Sequence, residues 1–154
     1  MATAETLTTT GKKTTGIRWA RVLAAGVLAE VAVIALLLIV TGVHSWFVAP
    51  GLSDAEYQDF SERAGYYVGP TAGAITTFLL ALWVGRKLES DFVVNGVLVG
   101  LVGVVMTVGF LAGARPEHRL MYVVSFVLKI VAGYAAGAIS QKTFNRSALR
   151  PTTS

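Results

Sequence analysis

The chain has 154 residues, of which 54% are apolar and only 14% carry a charge. Soluble domains carry a charge on about a quarter of their residues, so this composition is typical of a membrane protein. The absence of cysteine excludes disulfides, thiolate metal ligands and a cysteine nucleophile. The formal net charge is +4, but no basic patch is dense enough to predict nucleic-acid binding.

Four segments approach or exceed the roughly 20 apolar residues that cross the hydrocarbon core of a bilayer. Their predicted bounds are 20–43, 69–85, 92–114 and 120–140. They leave no room for a separate soluble domain, so the predicted fold is an all-α integral membrane four-helix bundle. The polar residues 1–19 that precede the first span are predicted to be flexible.

Basic residues are distributed unequally between the two sides of the predicted spans. One side receives Lys12, Lys13, Arg18, Arg21, Arg86, Lys87, Lys142, Arg146 and Arg150, whereas the other receives Arg63, Arg115 and Arg119. The positive-inside rule therefore predicts two cytoplasmic termini in a bacterial inner membrane. The basic tail, 141–154, is predicted to contact anionic lipid headgroups of the bilayer.

The long outer loop, 44–68, is acidic and contains a helix-start signal. Ser53 and Glu56 have the spacing of a capping box, which predicts a short helix. One face of that helix is apolar, whereas the acidic residues are expected to point elsewhere: the apolar face holds Tyr57, Phe60, Ala64 and Tyr67, and the acidic residues are Asp54, Glu56, Asp59 and Glu62. The loop is either a solvated connector or an interfacial lid over the bundle.

Two charged residues of opposite sign, Glu30 and Lys129, lie near the centres of the first and fourth spans. One charge at a helix centre costs roughly 2.5 to 3.5 kcal/mol, so a mutual ion pair is the cheaper arrangement. Glu30 lies about 18 Å beyond Arg18 along a helix, and Lys129 about 20 Å before Lys142. The two antiparallel spans would therefore bring both charges together at the midplane if the spans are neighbours. Gly26 and Gly133 would then allow the two helices to approach closely.

Small residues recur three, four and seven positions apart in the spans, which predicts close helix packing. These stripes contain Gly69, Gly73 and Thr77 in the second span, Gly96, Gly100, Gly103 and Thr107 in the third, and Gly133 on the Lys129 face of the fourth. Such stripes support a bundle or a homodimer and indicate nothing more specific.

No sequence motif for catalysis is present: there is no nucleophile elbow, phosphate loop, HExxH or dinucleotide fingerprint. His44 and His118 fall on the outer side, but neither has metal-ligand spacing to a second histidine. We therefore expect no catalytic residue, no metal site, no cofactor and no enzymatic activity.

Two functional interpretations of the charge pair remain open. In the first, the pair fixes the register of the helices, and the protein has a structural or accessory role. In the second, Glu30 exchanges protons or binds a cation, and the protein is a small proton- or cation-coupled transporter acting as an oligomer.

Two resemblances accompany these residues. The run Leu28-Ala29-Glu30-Val31 resembles one helix turn of the small multidrug-resistance transporters, which implies a glutamate that binds cations and protons in a dimer. The whole membrane region is similar to a loosely defined group of four-span bacterial membrane proteins with no assigned activity. That resemblance lies in Arg21-Val22-Leu23, in Leu82-Trp83-Val84 before Arg86-Lys87, and in Phe126-Val127-Leu128-Lys129 before Gly133.

Overall fold

The computed structural model describes residues 16–113 and 116–148, and over those residues it is helical with no strand. The helices are α1 (Trp19–Val43), α2 (Asp54–Gly85), α3 (Phe92–Gly113) and α4 (Arg119–Ala148). A π-helical turn, His44–Val48, follows α1, and a 3-10 turn, Pro116–His118, precedes α4. All four helices are long and apolar enough to cross a membrane, which confirms the predicted all-helical class. The predictions for residues 1–15, Arg115 and Arg150 fall outside the described residues.

The second helix begins much earlier than Gly69-Pro70, where the sequence suggested that it would start. Ser53 forms the predicted capping box: its hydroxyl accepts from the Glu56 amide, and the Glu56 carboxylate accepts from the Ser53 amide. The helix then continues through Pro70 to Gly85 without interruption. The helix extends beyond the predicted span because hydropathy detects only the part of a helix that suits a bilayer, whereas the polar first half is helical as well.

The fourth helix ends later than predicted for a similar reason. Residues 141–148, assigned to a basic tail, continue α4 as far as Ala148. They include neither glycine nor proline, so no residue interrupts the helix where the apolar residues end.

The four helices pack so that α1 and α4 lie on a diagonal of the bundle. Helix α1 packs against α2 and α3, and α4 packs against the same two helices. The condition under which the sequence brought the two charges together, that α1 and α4 are neighbours, is therefore not met. Gly26 of α1 lies against Val102 of α3, and Gly133 of α4 lies against the backbone of Gly96 of α3. Each glycine therefore allows its own helix to pack closely against α3, rather than α1 to pack against α4.

One end of the bundle contains the start of α1, the end of α2, the start of α3 and the end of α4. The Asn95 side chain accepts from the Arg18 amide at 3.0 Å, and the rings of Phe92 and Phe144 lie 5.4 Å apart. The hydrophobic core lies in this half of the molecule and consists of Val22, Ala25, Ala81, Val84, Leu88, Phe92, Val99 and Ala136. This half is therefore densely packed and apolar inside.

Candidate functional site: the buried charge pair and its cavity

Glu30 and Lys129 form a buried ion pair across the α1–α4 diagonal. Lys129 Nζ lies 2.7 Å from Glu30 Oε1, and each side chain is only 5% exposed. The contact lacks the angles of a hydrogen bond, and among the described residues Glu30 Oε1 has no hydrogen-bond partner. Lys129 Nζ donates to Thr107 Oγ1 at 3.3 Å. The predicted pairing is confirmed, as a charge contact rather than a directed hydrogen bond.

Glycines on the two intervening helices allow the charged side chains to reach each other. A Cβ atom at Gly73 of α2 would lie 2.9 Å from Lys129 Cε, and one at Gly103 of α3 would lie 2.6 Å from Glu30 Oε1. Both distances are too short for real Cβ atoms. The two glycines therefore provide the room in which the diagonal pair forms.

The backbones of α3 and α4 also approach closely beside Lys129. A Cβ atom at Gly100 would lie 2.6 Å from the Lys129 carbonyl oxygen. This contact holds the α4 turn that carries Lys129 against α3. Gly73, Gly96, Gly100, Gly103 and Gly133 therefore lie in close contacts, as small-residue stripes favour.

A half-open cavity of about 360 Å³ extends from the ion pair toward the end of the bundle opposite the core. Glu30, Lys129 and Thr107 line its inner end. Its walls and mouth are formed by Val33, Ile34 and Leu37 of α1, by Ser61, Glu62, Gly65, Tyr66, Gly69 and Pro70 of α2, and by His118, Met121, Tyr122, Ser125 and Phe126. The pair is consequently buried beside an open space and is not sealed within the core.

Gly65 and Gly69 enlarge the cavity because they present no side chain to it. A Cβ atom at either position would meet nothing within 4 Å. Gly69, predicted to be a helix-packing residue, therefore lines the cavity instead. The spacing of glycines along a helix does not reveal which of them face a neighbouring helix and which face a void.

The polar first half of α2 forms one wall of the cavity and is part of a continuous helix. The Tyr57 hydroxyl donates to the Ala49 carbonyl at 2.9 Å and accepts from the Gly51 amide at 3.1 Å, which ties the connector to this helix. Gly51 adopts a φ of +86°, a value that favours glycine. Glu62 lines the cavity, on a side of α2 that contributes none of the predicted apolar-face residues Tyr57, Phe60, Ala64 and Tyr67 to the lining.

The two histidines lie in separate aromatic contacts. The His44 ring stacks on Phe60 with centroids 3.5 Å apart, whereas His118 lies 5.3 Å from the Tyr66 ring. The described residues contain no group of three or more histidine, aspartate or glutamate side chains that is able to hold a metal ion.

Two buried or partly buried polar residues, one in the site and one at the core end of the bundle, have contacts that were not predicted from the sequence. Thr107 was assigned to a packing stripe, yet it contacts Lys129. Asn95 was not singled out, although it is fully buried and joins the starts of α1 and α3. A single amide within a long apolar segment was the available signal for Asn95.

Comparison with protein-family models, with curated proteins and with solved structures finds no match for this chain. Any functional conclusion therefore depends on the geometry of the site itself.

Proposed function

We propose that this protein is a multi-pass membrane protein with a structural or accessory role, in which the Glu30–Lys129 pair fixes the arrangement of the four helices. The observation that carries the proposal is the buried 2.7 Å contact between the two charges across the bundle. A buried charge without its counter-charge is costly. Helix arrangements that separate Glu30 from Lys129 are therefore strongly disfavoured.

The proposal includes a bacterial inner membrane with both termini in the cytoplasm. Its support is the charge at the two ends of the bundle. Among the described residues, the end that holds the core carries Arg18, Arg21, Arg86, Lys87, Lys142 and Arg146 beside Glu89 and Asp91. The end with the cavity carries fewer basic residues, Arg63 and Arg119, beside Asp54, Glu56, Asp59 and Glu62. Lys142 and Arg146 line a shallow surface groove at the end of α4, where anionic headgroups would be attracted.

A double-mutant cycle tests the role of the pair. We expect Glu30→Gln and Lys129→Met each to lower the free energy of unfolding by about 3 to 5 kcal/mol, because each leaves one buried charge unpaired. The double variant should recover much of that loss and give a coupling above about 1 kcal/mol. The measurement is the unfolding of detergent-solubilised protein. Additive losses would refute the role of the pair in fixing the bundle.

A matched cycle on Asp59 and Arg63 is the control. These residues form a 2.7 Å ion pair within one helix, but both side chains are more than half exposed. Exposed pairs contribute only about 0 to 1 kcal/mol. A coupling as large as that of the buried pair would show that the detergent measurement does not distinguish buried charges from exposed ones.

A proton- or cation-coupled transporter, acting as an oligomer, is the second candidate. The observation that favours it is the cavity, because a pair with a purely structural role needs no open space beside it. Proteoliposomes with an enclosed pH indicator provide the test. Coupled transport predicts proton flux that Glu30→Gln abolishes and that Glu56→Gln, an exposed position outside the cavity, leaves unchanged. Flux that persists in Glu30→Gln would exclude Glu30 as the coupling residue, and no flux in the unmodified protein would exclude the proton-coupled form of this candidate.

A further inference from the structure

The inner end of the cavity presents two opposite charges that sum to zero. Glu30 supplies the negative charge and Lys129 the positive one, and both border the same open space. A simple cation that binds Glu30 would leave Lys129 with no counter-charge, and a simple anion that binds Lys129 would do the same to Glu30. Each case adds net charge to a poorly solvated site, which is costly. A ligand that carries both charges avoids that cost.

The hydrogen-bonding capacity at the inner end is only partly used. Glu30 Oε1 contacts Lys129 Nζ at 2.7 Å but accepts no directed hydrogen bond among the described residues. The Lys129 ammonium has three donors, one of which goes to Thr107. An incoming ammonium would donate to the Glu30 carboxylate, and an incoming carboxylate would accept from Lys129 Nζ. Both contacts are charge-assisted hydrogen bonds, which are stronger than those between neutral groups.

The walls of the cavity indicate the remainder of the ligand. They are largely apolar, with Val33 and Leu37 on one side and Met121 and Phe126 on the other. The volume of about 360 Å³ lies near the lower limit of small-molecule sites, which range from about 300 to 1,000 Å³. The ligand is therefore small, with its two charges close together and an apolar group attached.

We propose that the cavity binds a free α-amino acid with an apolar side chain, its ammonium on Glu30, its carboxylate on Lys129 and its side chain between α1 and α4. Binding separates Glu30 from Lys129 and gives each a new counter-charge, so the net charge of the site does not change. The proposal goes beyond the structural role of the pair and does not depend on transport.

Calorimetric titration of the purified full-length protein in detergent tests the ligand class. The probes are L-leucine, L-leucine methyl ester, which lacks the carboxylate, and N-acetyl-L-leucine, which lacks the ammonium. We expect leucine to bind and each blocked form to bind at least about 100-fold more weakly, because each leaves one buried charge unpaired. Equal binding of the ester would indicate a cation site, equal binding of the acetyl form an anion site, and absence of leucine binding would likewise overturn the proposal.

A pair of glycine variants tests the location while leaving the charges in place. Gly65→Leu fills the cavity, since a Cβ there meets nothing within 4 Å, and Gly109→Leu is the matched control on an exposed face of α3. We expect Gly65→Leu to weaken leucine binding at least about tenfold and Gly109→Leu to change it less than about twofold. The two variants should unfold at similar temperatures. Unchanged binding in Gly65→Leu would place the amino acid outside the cavity and overturn the proposal.

Discussion

Gly103 sets how closely the two buried charges meet, because it lies beside the Glu30 carboxylate. In Gly103→Ala the new Cβ would lie 2.6 Å from Glu30 Oε1, so the carboxylate must move. We expect a loss of about 1 to 3 kcal/mol in the free energy of unfolding, the usual cost of overpacking. Thermal unfolding of the detergent-solubilised variant measures it.

Gly109→Ala in the same helix is the control for this prediction. A Cβ at Gly109 meets nothing within 4 Å, and alanine favours a helix over glycine by up to about 1 kcal/mol. Stability should therefore stay the same or rise. An equal loss in both variants would show that the cost arises from replacing a glycine in α3 and not from the contact with Glu30.

The pairing of Glu30 with Lys129 was predictable because two unpaired charges in long apolar segments are expensive. The helix arrangement that brings the two side chains together was not predictable. Their depths along two helices say nothing about which helices are neighbours, and the contribution of Gly73 follows only from the diagonal arrangement. Residue type and spacing therefore identified the charged residues of the site but not the residues that give them room.

At the scale of a helix, the start of α2 depends on the Ser53 capping box. Ser53→Ala removes an acceptor from the first turn and should cost about 1 kcal/mol locally. We expect the amides of the first turn to exchange hydrogen about fivefold faster, because 1 kcal/mol corresponds to about that factor. Hydrogen exchange followed by mass spectrometry resolves this segment, and thermal unfolding should change little.

Ser61→Ala is the matched control within α2. The Ser61 hydroxyl donates to the Gln58 carbonyl in the interior of the helix and caps no terminus. Exchange in the first turn should stay as in the unmodified protein. Faster exchange in both variants would assign the effect to a general weakening of the exposed half of α2.

The capping box was predicted correctly. Helix α1 nearly coincides with the predicted first span, whereas α2 and α4 extend beyond the predicted second and fourth spans. A capping box is a local signal, because the residues from Ser53 to Glu56 contain all the groups that form it. The extent of a helix beyond the bilayer depends on polar residues that hydropathy counts against a span, such as those of 54–68. The polar halves of α2 and α4 are thus helical for reasons that a span prediction does not measure.

At the scale of the whole molecule, the two halves of the bundle differ in packing. The half with the start of α1 and the end of α4 holds the hydrophobic core, and the other half holds the cavity. The charge pair lies at the boundary between them. A ligand or proton that enters from the mouth therefore reaches Glu30 but meets the packed side chains of Val22 and Val99 beyond it. Among the described residues, the cavity opens on the side of the bundle opposite the core.

The orientation of the molecule decides whether that side faces the cytoplasm or the exterior. The chain has no cysteine, so single-cysteine variants carry one thiol and need no other substitution. Gln58→Cys lies at the cavity end and Ser147→Cys at the opposite end, and both positions are exposed. The positive-inside rule places the basic end, with Ser147, in the cytoplasm.

A membrane-impermeant maleimide applied to intact bacterial spheroplasts should therefore label Gln58→Cys and leave Ser147→Cys unlabelled until the membrane is permeabilised. Reversed labelling would place the cavity mouth in the cytoplasm and refute the predicted orientation. Labelling of both before permeabilisation would indicate that the chain does not adopt a single orientation. If the labelling is as expected, Glu30 is reached from outside the cell, and that is the side from which an amino acid would have to be supplied in transport measurements.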